Sequence, residues 1–471
     1  MNTTLFKTED AKLQKLFDKA EELAIGNLRN FAGRKVLVEG AGYEKIWLET
    51  QPMGGEMYAK RNLTAALNNQ LLFMENARSD GRLPGSIALI DGVPVPQFNK
   101  LQGFCFPAPA LNMYYLMGED KNYLNLLAST LEKFDAWLWS YRDTDNDGCL
   151  ESFCKYDTGE DEALRYGDAP NSWEEELPPT DSNVVPMASS DLMSWSFSAR
   201  ATLCEISKIN NCHESYVKWT AKAYDVRKKL ESYLWDKSRG ALFDRNKDHK
   251  MQEVLTHNTL KAMYWKSISC EKARTFVAKH LLNPEEFFTE MPLPSVAAND
   301  PLFRNIPTNN WSGQCEALTY QRAIRALENY GYDWLIPILG QKLFDSIYPE
   351  MNFVQQYDPF TGVPSVNDVS GGTPTYGPAI LSVLEYISRM YGVHREKQEI
   401  YWGCFGDSCS EYTQVYNDIE YRLLHENGKN TGFVDGKERF SIDASEKIIT
   451  DLFGNVKNRI PFTKENPNER Y

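Results

Sequence analysis

Histidine is scarce in this chain. There are six among 471 residues, and no two stand at metal-ligand spacing. That argues against a histidine-built metal centre or a histidine-based catalytic triad. Long apolar runs are missing too: nothing approaches the ~18 uninterrupted apolar residues of a membrane helix. Bases are outnumbered, with 51 Lys and Arg against 65 Asp and Glu and a net charge of −14. Nucleic acid and anionic membranes need the opposite balance. The nine cysteines lack paired spacing. Cys404 and Cys409 are close, but no second pair completes a zinc site. The odd count points to reduced thiols and a cytoplasmic protein. So does a polar N-terminus, Met1–Asn27, which lacks a signal peptide's apolar core and reads as an amphipathic helix. Gly54-Gly55 and Gly371-Gly372 stand outside any strand–loop–helix context, so they read as tight turns and not phosphate loops. No literal repeat is found.

What remains is a soluble globular composition, 42% hydrophobic and 25% charged, on a chain long enough to bury a large core. Helical periodicity dominates. It predicts helices over residues 9–31, 56–78, 121–141, 186–209 (after Pro186, a favoured helix-start residue), 213–236, 256–266, 271–282, 311–329, 332–348 and 374–393. They fall in pairs separated by long polar loops at 80–85, 143–179, 291–311 and 357–375. Loops of that length are usually functional. Helical hairpins sharing loops on one rim suggest an α/α toroid around a central cleft. After about residue 397 the pattern turns to β-type runs punctuated by Asn427-Gly, Asp435-Gly and Phe453-Gly-Asn. The expected organisation is mainly α, with a barrel domain over 1–396 and a small β-rich segment over 397–471 that covers one end of it.

The most informative stretch is Arg142–Arg165, which carries Asp143, Asp145, Asp147, Glu151, Asp157, Glu160, Asp161 and Glu162, with Phe153, Tyr156 and Tyr166 nearby. Three meanings are open: a sugar site with a proton donor, a calcium loop, or a solvated acidic turn. Asp143-x-Asp-x-Asp-Gly148 matches the first half of an EF-hand. The twelfth position is Cys154, where a bidentate Glu is required. Calcium at Asp143, Asp145 and Asp147 is therefore disfavoured as an EF-hand, and a tight Gly148 turn with Asp caps is the plainer reading. No cofactor is expected. Trp47, Trp173, Trp195 and Trp311 lie beside polar loops, where an indole face can stack on a sugar or simply pack in the core.

Several segments in order resemble the six-hairpin glycosidases, closest to glycoside hydrolase family 63 and its mannosylglycerate hydrolase and trehalase relatives. Asp145-Asn-Asp-Gly-Cys-Leu-Glu151 and Asp157-Thr-Gly-Glu-Asp161-Glu-Ala-Leu-Arg165 resemble the family's acidic turn and the segment after it. Ser190–Arg200 resembles the following helix. Leu293–Pro301 with Asn310-Trp-Ser-Gly313, Tyr357-Asp-Pro-Phe-Thr-Gly362, and Trp47-Leu-Glu to Gly85 resemble three further family segments. The resemblance spans roughly residues 45–395. It implies an (α/α)6 barrel and an inverting glycosidase acting on a small, α-linked glucoside or oligosaccharide.

Inversion needs a protonated carboxyl and a second carboxylate about 6.5–9.5 Å away to activate water. Asp161 stands where the family has its general acid, and neighbouring acids would raise its pKa. The resemblance also makes Trp47, Glu49, Tyr156, Asp157, Arg165, Trp173, Trp311, Gln314 and Tyr357 candidate substrate contacts. The family's base position is held by Gln355, and an amide cannot accept a proton from water at neutral pH. Three answers are open. Another carboxylate serves as base, Glu316 foremost, with Asp358, Glu56 and Glu174–Glu176 as others. Or phosphate replaces water in a phosphorylase. Or the chain binds sugar without turnover. The partner is a small carbohydrate, with the oligomeric state left open between monomer and homo-oligomer.

Overall fold

The structure is a computed structural model that describes residues 3–308, 310–366, 374–406 and 408–463. Gly371-Gly372 lies outside the described residues. Twelve α-helices are seen among them, and they divide by burial into two kinds. Helices α2 (Gln51–Tyr58), α4 (Pro107–Leu116), α6 (Ser190–Ile209), α8 (Asn258–Tyr264), α10 (Ala317–Glu328) and α12 (Gly377–Tyr391) are buried on nearly every face. Helices α1 (Ala11–Gly26), α3 (Leu63–Glu75), α5 (Lys121–Tyr141), α7 (His213–Lys229), α9 (Cys270–Phe276) and α11 (Leu335–Ile347) bury one side and present the other to water. Each buried helix packs against the next, α2 on α4, α4 on α6, α6 on α8, α8 on α10, α10 on α12 and α12 back on α2. The one-sided helices back them as partners, α3 on α2, α5 on α4, α7 on α6, α9 on α8, α11 on α10 and α1 on α12.

Helix α5 appears over the expected residues, capped by Asp120, whose carboxylate accepts from the Asn122 and Tyr123 amides. The expected 56–78 helix is two helices. Asn62 takes an extended conformation and accepts from the Ala65 amide, starting α3 afresh. Helix α4 has no amphipathic signature because both its faces are covered. Pro107 and Pro109 are tolerated because the first turn has no amide hydrogen bond to lose. Pro186 does not start α6. It precedes the short strand Met187–Ala188, which pairs with Glu151–Ser152, and Ser189 caps the helix.

The C-terminal β region comprises two antiparallel sheets. One has four strands in the order Val393–Glu396, Glu399–Cys404, Glu446–Asp451, Val456–Pro461. The other has Ser410–Tyr416, Ile419–Glu426, Lys429–Val434 and Lys437–Ile442, and its outer strand comes from the chain's beginning. Thr3–Thr8 is not helical as expected: it pairs with Ser410–Tyr416, Phe6 opposite Tyr412. Phe6 is buried, and its ring lies 5.2 Å from that of Phe17 on α1, 5.9 Å from that of Tyr412 and 6.3 Å from that of Tyr391 on α12. One side chain thus joins helices and sheet. Phe6→Ala should destabilise the protein by about 3–5 kcal/mol, the range for a buried Phe. Urea unfolding checks this, and a loss under 1 kcal/mol would show that the strand does not hold the two parts together.

Candidate active site

The residues immediately before each buried helix converge on one end of the helical body. Glu49 precedes α2, Gly103 precedes α4, and Ser189 precedes α6. His257 precedes α8, Glu316 precedes α10, and Tyr376 precedes α12. Helix N-termini carry partial positive charge and favour carboxylates nearby, so an acid-rich cleft suits this end.

The acidic loop distributes its carboxylates by depth. At the surface, Asp143, Asp145 and Asp147 accept from the amides of Gly148, Asp147 and Cys149 at 3.2, 3.0 and 2.7 Å. The turn closes on Gly148 at φ +81°. Asp157 is fully buried. It accepts from Arg142 Nη1 at 2.6 Å and from the amides of Phe153 and Leu101 at 2.8 and 2.9 Å. Burial pushes its pKa up, but Arg142 and these hydrogen bonds outweigh that and hold it below the usual range. Asp157 is therefore a loop anchor and not the substrate contact expected of it, because its oxygens are already engaged. Glu160 is buried against Arg165, Lys261 Nζ (2.9 Å) and His257 Nε2 (2.6 Å). Burial opposes ionisation there, yet the Arg165 and Lys261 charges hold Glu160 well below its ordinary pKa. Arg165 also reaches Asp191 at 3.0 Å and Asp244 at 2.9 Å, so it orients carboxylates and not a sugar hydroxyl.

Asp161, next along, is half-buried. Its carbonyl accepts from the Trp311 amide at 2.9 Å. Its charge is felt by three groups from elsewhere in the chain: Glu39, Lys100 and Tyr156. Lys100 lies 4.7 Å from the Tyr156 ring centre and 5.2 Å from that of Trp47, whose other cation neighbour is Lys45 at 5.3 Å. Burial lowers the Lys100 pKa and the Asp161 charge opposes the drop.

Glu39 is a carboxylate that sequence reasoning missed. It is 8% exposed and accepts from Tyr376 Oη at 3.1 Å. Burial foremost, then the Glu49 and Asp161 charges, raise its pKa to about 8. The chain around it is stapled to the approach to α12. Gly377 N donates to the Glu39 carbonyl, and Asn27 Nδ2 donates to the Thr375 carbonyl at 2.9 Å. A side chain at Gly40, φ +80°, would fall 2.3 Å from that same carbonyl, so only glycine permits the approach. The available signal was Val38-Glu39-Gly40-Ala41-Gly42, an acid alone in an apolar, glycine-rich stretch.

Glu49 is held by Arg322 and packs on two glycines. A Cβ on Gly159 would sit 2.1 Å from Glu49 Oε2, and one on Gly103 would sit 2.8 Å from Glu49 Cβ. Burial raises the Glu49 pKa to about 7 against the pull of Arg322. Gln355, 5% exposed, accepts from Tyr43 Oη at 3.3 Å, and the Tyr43 ring meets Trp47 and Tyr376 edge-on at 6.5 and 6.4 Å. Glu316 lies opposite Gln356 in a two-residue ladder and has no accessible surface. Trp311 is 3% exposed, its ring 5.6 Å from that of His257.

Other expected residues stand elsewhere. Tyr357 is fully buried. Gln314 donates to Asn305 at 2.7 Å and accepts from Ser365 at 2.6 Å, tying loops together. Trp195 is in the core beside Phe104 and Trp265. Trp173 lines an outer groove with Arg78 and Glu174–Glu176. Asp358 caps a turn by accepting from the amides of Phe360 and Thr361. Glu56 lies at the far end of α2 against Asn112 and Arg325.

An acid-lined, aromatic cleft on a body of helical hairpins defines a class, the glycoside hydrolases. The family model described as the mannosylglycerate hydrolase MGH1-like glycoside hydrolase domain matches residues 48–376, and the chain belongs to that family. Among solved structures, the family 63 mannosylglycerate hydrolase of Thermus thermophilus, in complex with Tris, is similar at 17% identity and TM-score 0.62, covering 79% of this chain and all of that one. The neutral trehalase of Saccharomyces cerevisiae is similar at 16% identity and TM-score 0.56, covering 76% of this chain and 74% of that one. An α-L-rhamnosidase of Dictyoglumus thermophilum gives 12% and 0.60, covering 94% of this chain but 45% of that one. None of the curated proteins matches. No helix among the described residues is long and apolar enough to cross a membrane.

The raised Glu39 pKa has a thermodynamic consequence. Between about 4.5, the ordinary value, and about 8, the folded protein holds a proton that the unfolded chain has released. Wild-type stability therefore falls as pH rises through that window, by at most about 1.4 kcal/mol per pH unit from this group. Glu39→Gln removes the dependence, so the variant should gain on wild type between pH 5 and pH 8 in urea unfolding. Parallel stability profiles for the two proteins would show that Glu39 is ionised in the fold.

Proposed function

We propose that this glycoside hydrolase cleaves a small, α-linked glucoside or related oligosaccharide by inversion, with Asp161 as general acid and Glu39 as the base. The observation that carries the reading is Glu39 itself, a buried carboxyl held by Tyr376 whose pKa is raised by burial, by Glu49 and by the Asp161 charge. Asp161 is the more exposed of the two, which suits protonation of a departing group on its way out. Glu39 is the deeper one, which suits activation of a water enclosed beneath the sugar. Glu316, the base first suggested by the sequence, has no accessible surface to meet that water. The phosphorylase and binding-only readings rest on the amide at Gln355, and a base at Glu39 would supply the carboxylate that they take to be missing.

The assigned roles need Asp161 protonated and Glu39 ionised. That is the reverse of the free protein, where the Asp161 charge helps hold a proton on Glu39 up to about pH 8, so the proton must pass between them when substrate binds. Activity should fall as pH rises above about 8, where the pair loses the one proton its acid must donate. The packing order of the buried helices, closing from α12 back to α2, supports an (α/α)6 toroid as the scaffold. At the rim, Lys45 and Lys100 flank Trp47 and suit a leaving portion that bears a carboxylate. One structure of the mannosylglycerate hydrolase holds Tris and D-glycerate.

The roles separate by leaving group. With an alkyl glycoside, both Asp161→Asn and Glu39→Gln should lose about 10²–10⁴ in kcat/KM, the usual contribution of acid–base catalysis. With a glycosyl fluoride, whose departure needs little protonation, Asp161→Asn should recover most of its activity while Glu39→Gln does not. The reverse pattern would exchange the two roles, and undiminished activity in both variants would remove the pair from the mechanism.

A further inference from the structure

At the end of α2 remote from the cleft, a second cluster of ionisable groups is buried between the helices and the first C-terminal strand. Alternate residues of a strand point the same way, so Val393–Glu396 directs His394 and Glu396 to one face, which meets Glu56 on α2. One nitrogen or oxygen from each of Glu56, His394 and Glu396 lies within 4.8 Å of the others. His394 Nε2 is 3.6 Å from Glu396 Oε2. His394 is 3% exposed, and neither ring nitrogen has a hydrogen-bond partner among the described residues. A buried polar group left in that state costs about 1–3 kcal/mol, so the imidazole calls for a ligand.

We infer that Glu56, His394 and Glu396 form a structural zinc site that fastens the first buried helix to the β region. An imidazole nitrogen and two carboxylate oxygens are the donors zinc takes, at ~2.0–2.2 Å. The surrounding contacts suit that role. Asn112 donates to Glu56 Oε1 and so orients the carboxylate. Glu385 Oε2, which accepts from Arg389, lies 4.0 Å from His394 Nδ1 and so leaves the ring without a hydrogen bond on that side. Arg325 approaches Glu56 at 3.7 Å and Glu396 at 3.3 Å. Both distances exceed the ~2.7–2.9 Å of a charge-assisted hydrogen bond, so the guanidinium bridges the two acids loosely and leaves each lone pairs to spend on an ion. The other charges nearby are paired among themselves, Lys60 and Arg389 with Glu385, and Lys447 with Asp333. The site takes no part in the proposed chemistry and stands apart from it.

The test uses the full chain, purified without chelator or metal-affinity resin. Elemental analysis after incubation with zinc and desalting should find about one equivalent. Cobalt(II) in its place should give the intense visible absorption of a low-coordinate site. Glu396→Gln, at a partly exposed side chain, should lower zinc retention at least about tenfold, as should His394→Gln if it folds. Asp147→Asn, in the exposed cluster with Asp145 and His249, should leave it unchanged. Wild-type protein that retains no zinc overturns the inference, and so does zinc lost in Asp147→Asn but kept in Glu396→Gln.

Discussion

The site depends on burying negative charge without losing it. Glu160, Asp191 and Asp244 lie deep in the helical body, where an isolated carboxylate would take up a proton. Arg165 and Lys261 prevent that for Glu160 by lying between the three acids. The same contacts join the acidic loop to α6 and α8. Removing one partner of such a set typically costs 3–5 kcal/mol because the others are left uncompensated. The loop that carries Asp161 is therefore held by the Glu160 contacts and by the Asp157–Arg142 pair, while Asp161 itself stays half-buried.

That division explains why adjacent acids differ in character. Glu160 and Asp161 are neighbours in sequence, but one is surrounded by cations and the other by Glu39, Tyr156 and Lys100. The cleft repeats the contrast. Glu49 has Arg322 and is still pushed up by burial. Glu39 accepts from a tyrosine hydroxyl, with no cation against it among the described residues, and is pushed higher. Environments that drive carboxyl pKa values apart are what acid–base chemistry requires.

Much of the fold was legible because burial on one face leaves a helical period. The one-sided helices α5 and α11 were read almost to the residue. Helix α4, buried on all sides, has no period to read and was missed. The first strand was misread as helix because Thr3–Thr8 finds its partner some four hundred residues later, at Ser410–Tyr416. Most carboxylates of the acidic loop are turn caps or anchors, which spacing alone does not distinguish from a catalytic acid. Trp195 and Tyr357 were plausible sugar contacts by type and neighbourhood, but packing placed both in the core.

The sequence by itself determined the family and the Asp161 loop, since these rest on local spacing that survives without knowledge of contacts. The resemblance also puts an amide, Gln355, at the position of the family's base. Only the tertiary structure links Glu39 to that position, through Tyr376, whose ring meets the Tyr43 that donates to Gln355. Glu39 lies outside the stretch that resembles the family and is tied to the approach to α12 by the Gly377 amide, which donates to its carbonyl, and by Asn27 Nδ2, which donates to the Thr375 carbonyl. No periodicity or spacing encodes such a contact, because it depends on where two distant segments of chain are brought together, and on a glycine at position 40 that lets them touch.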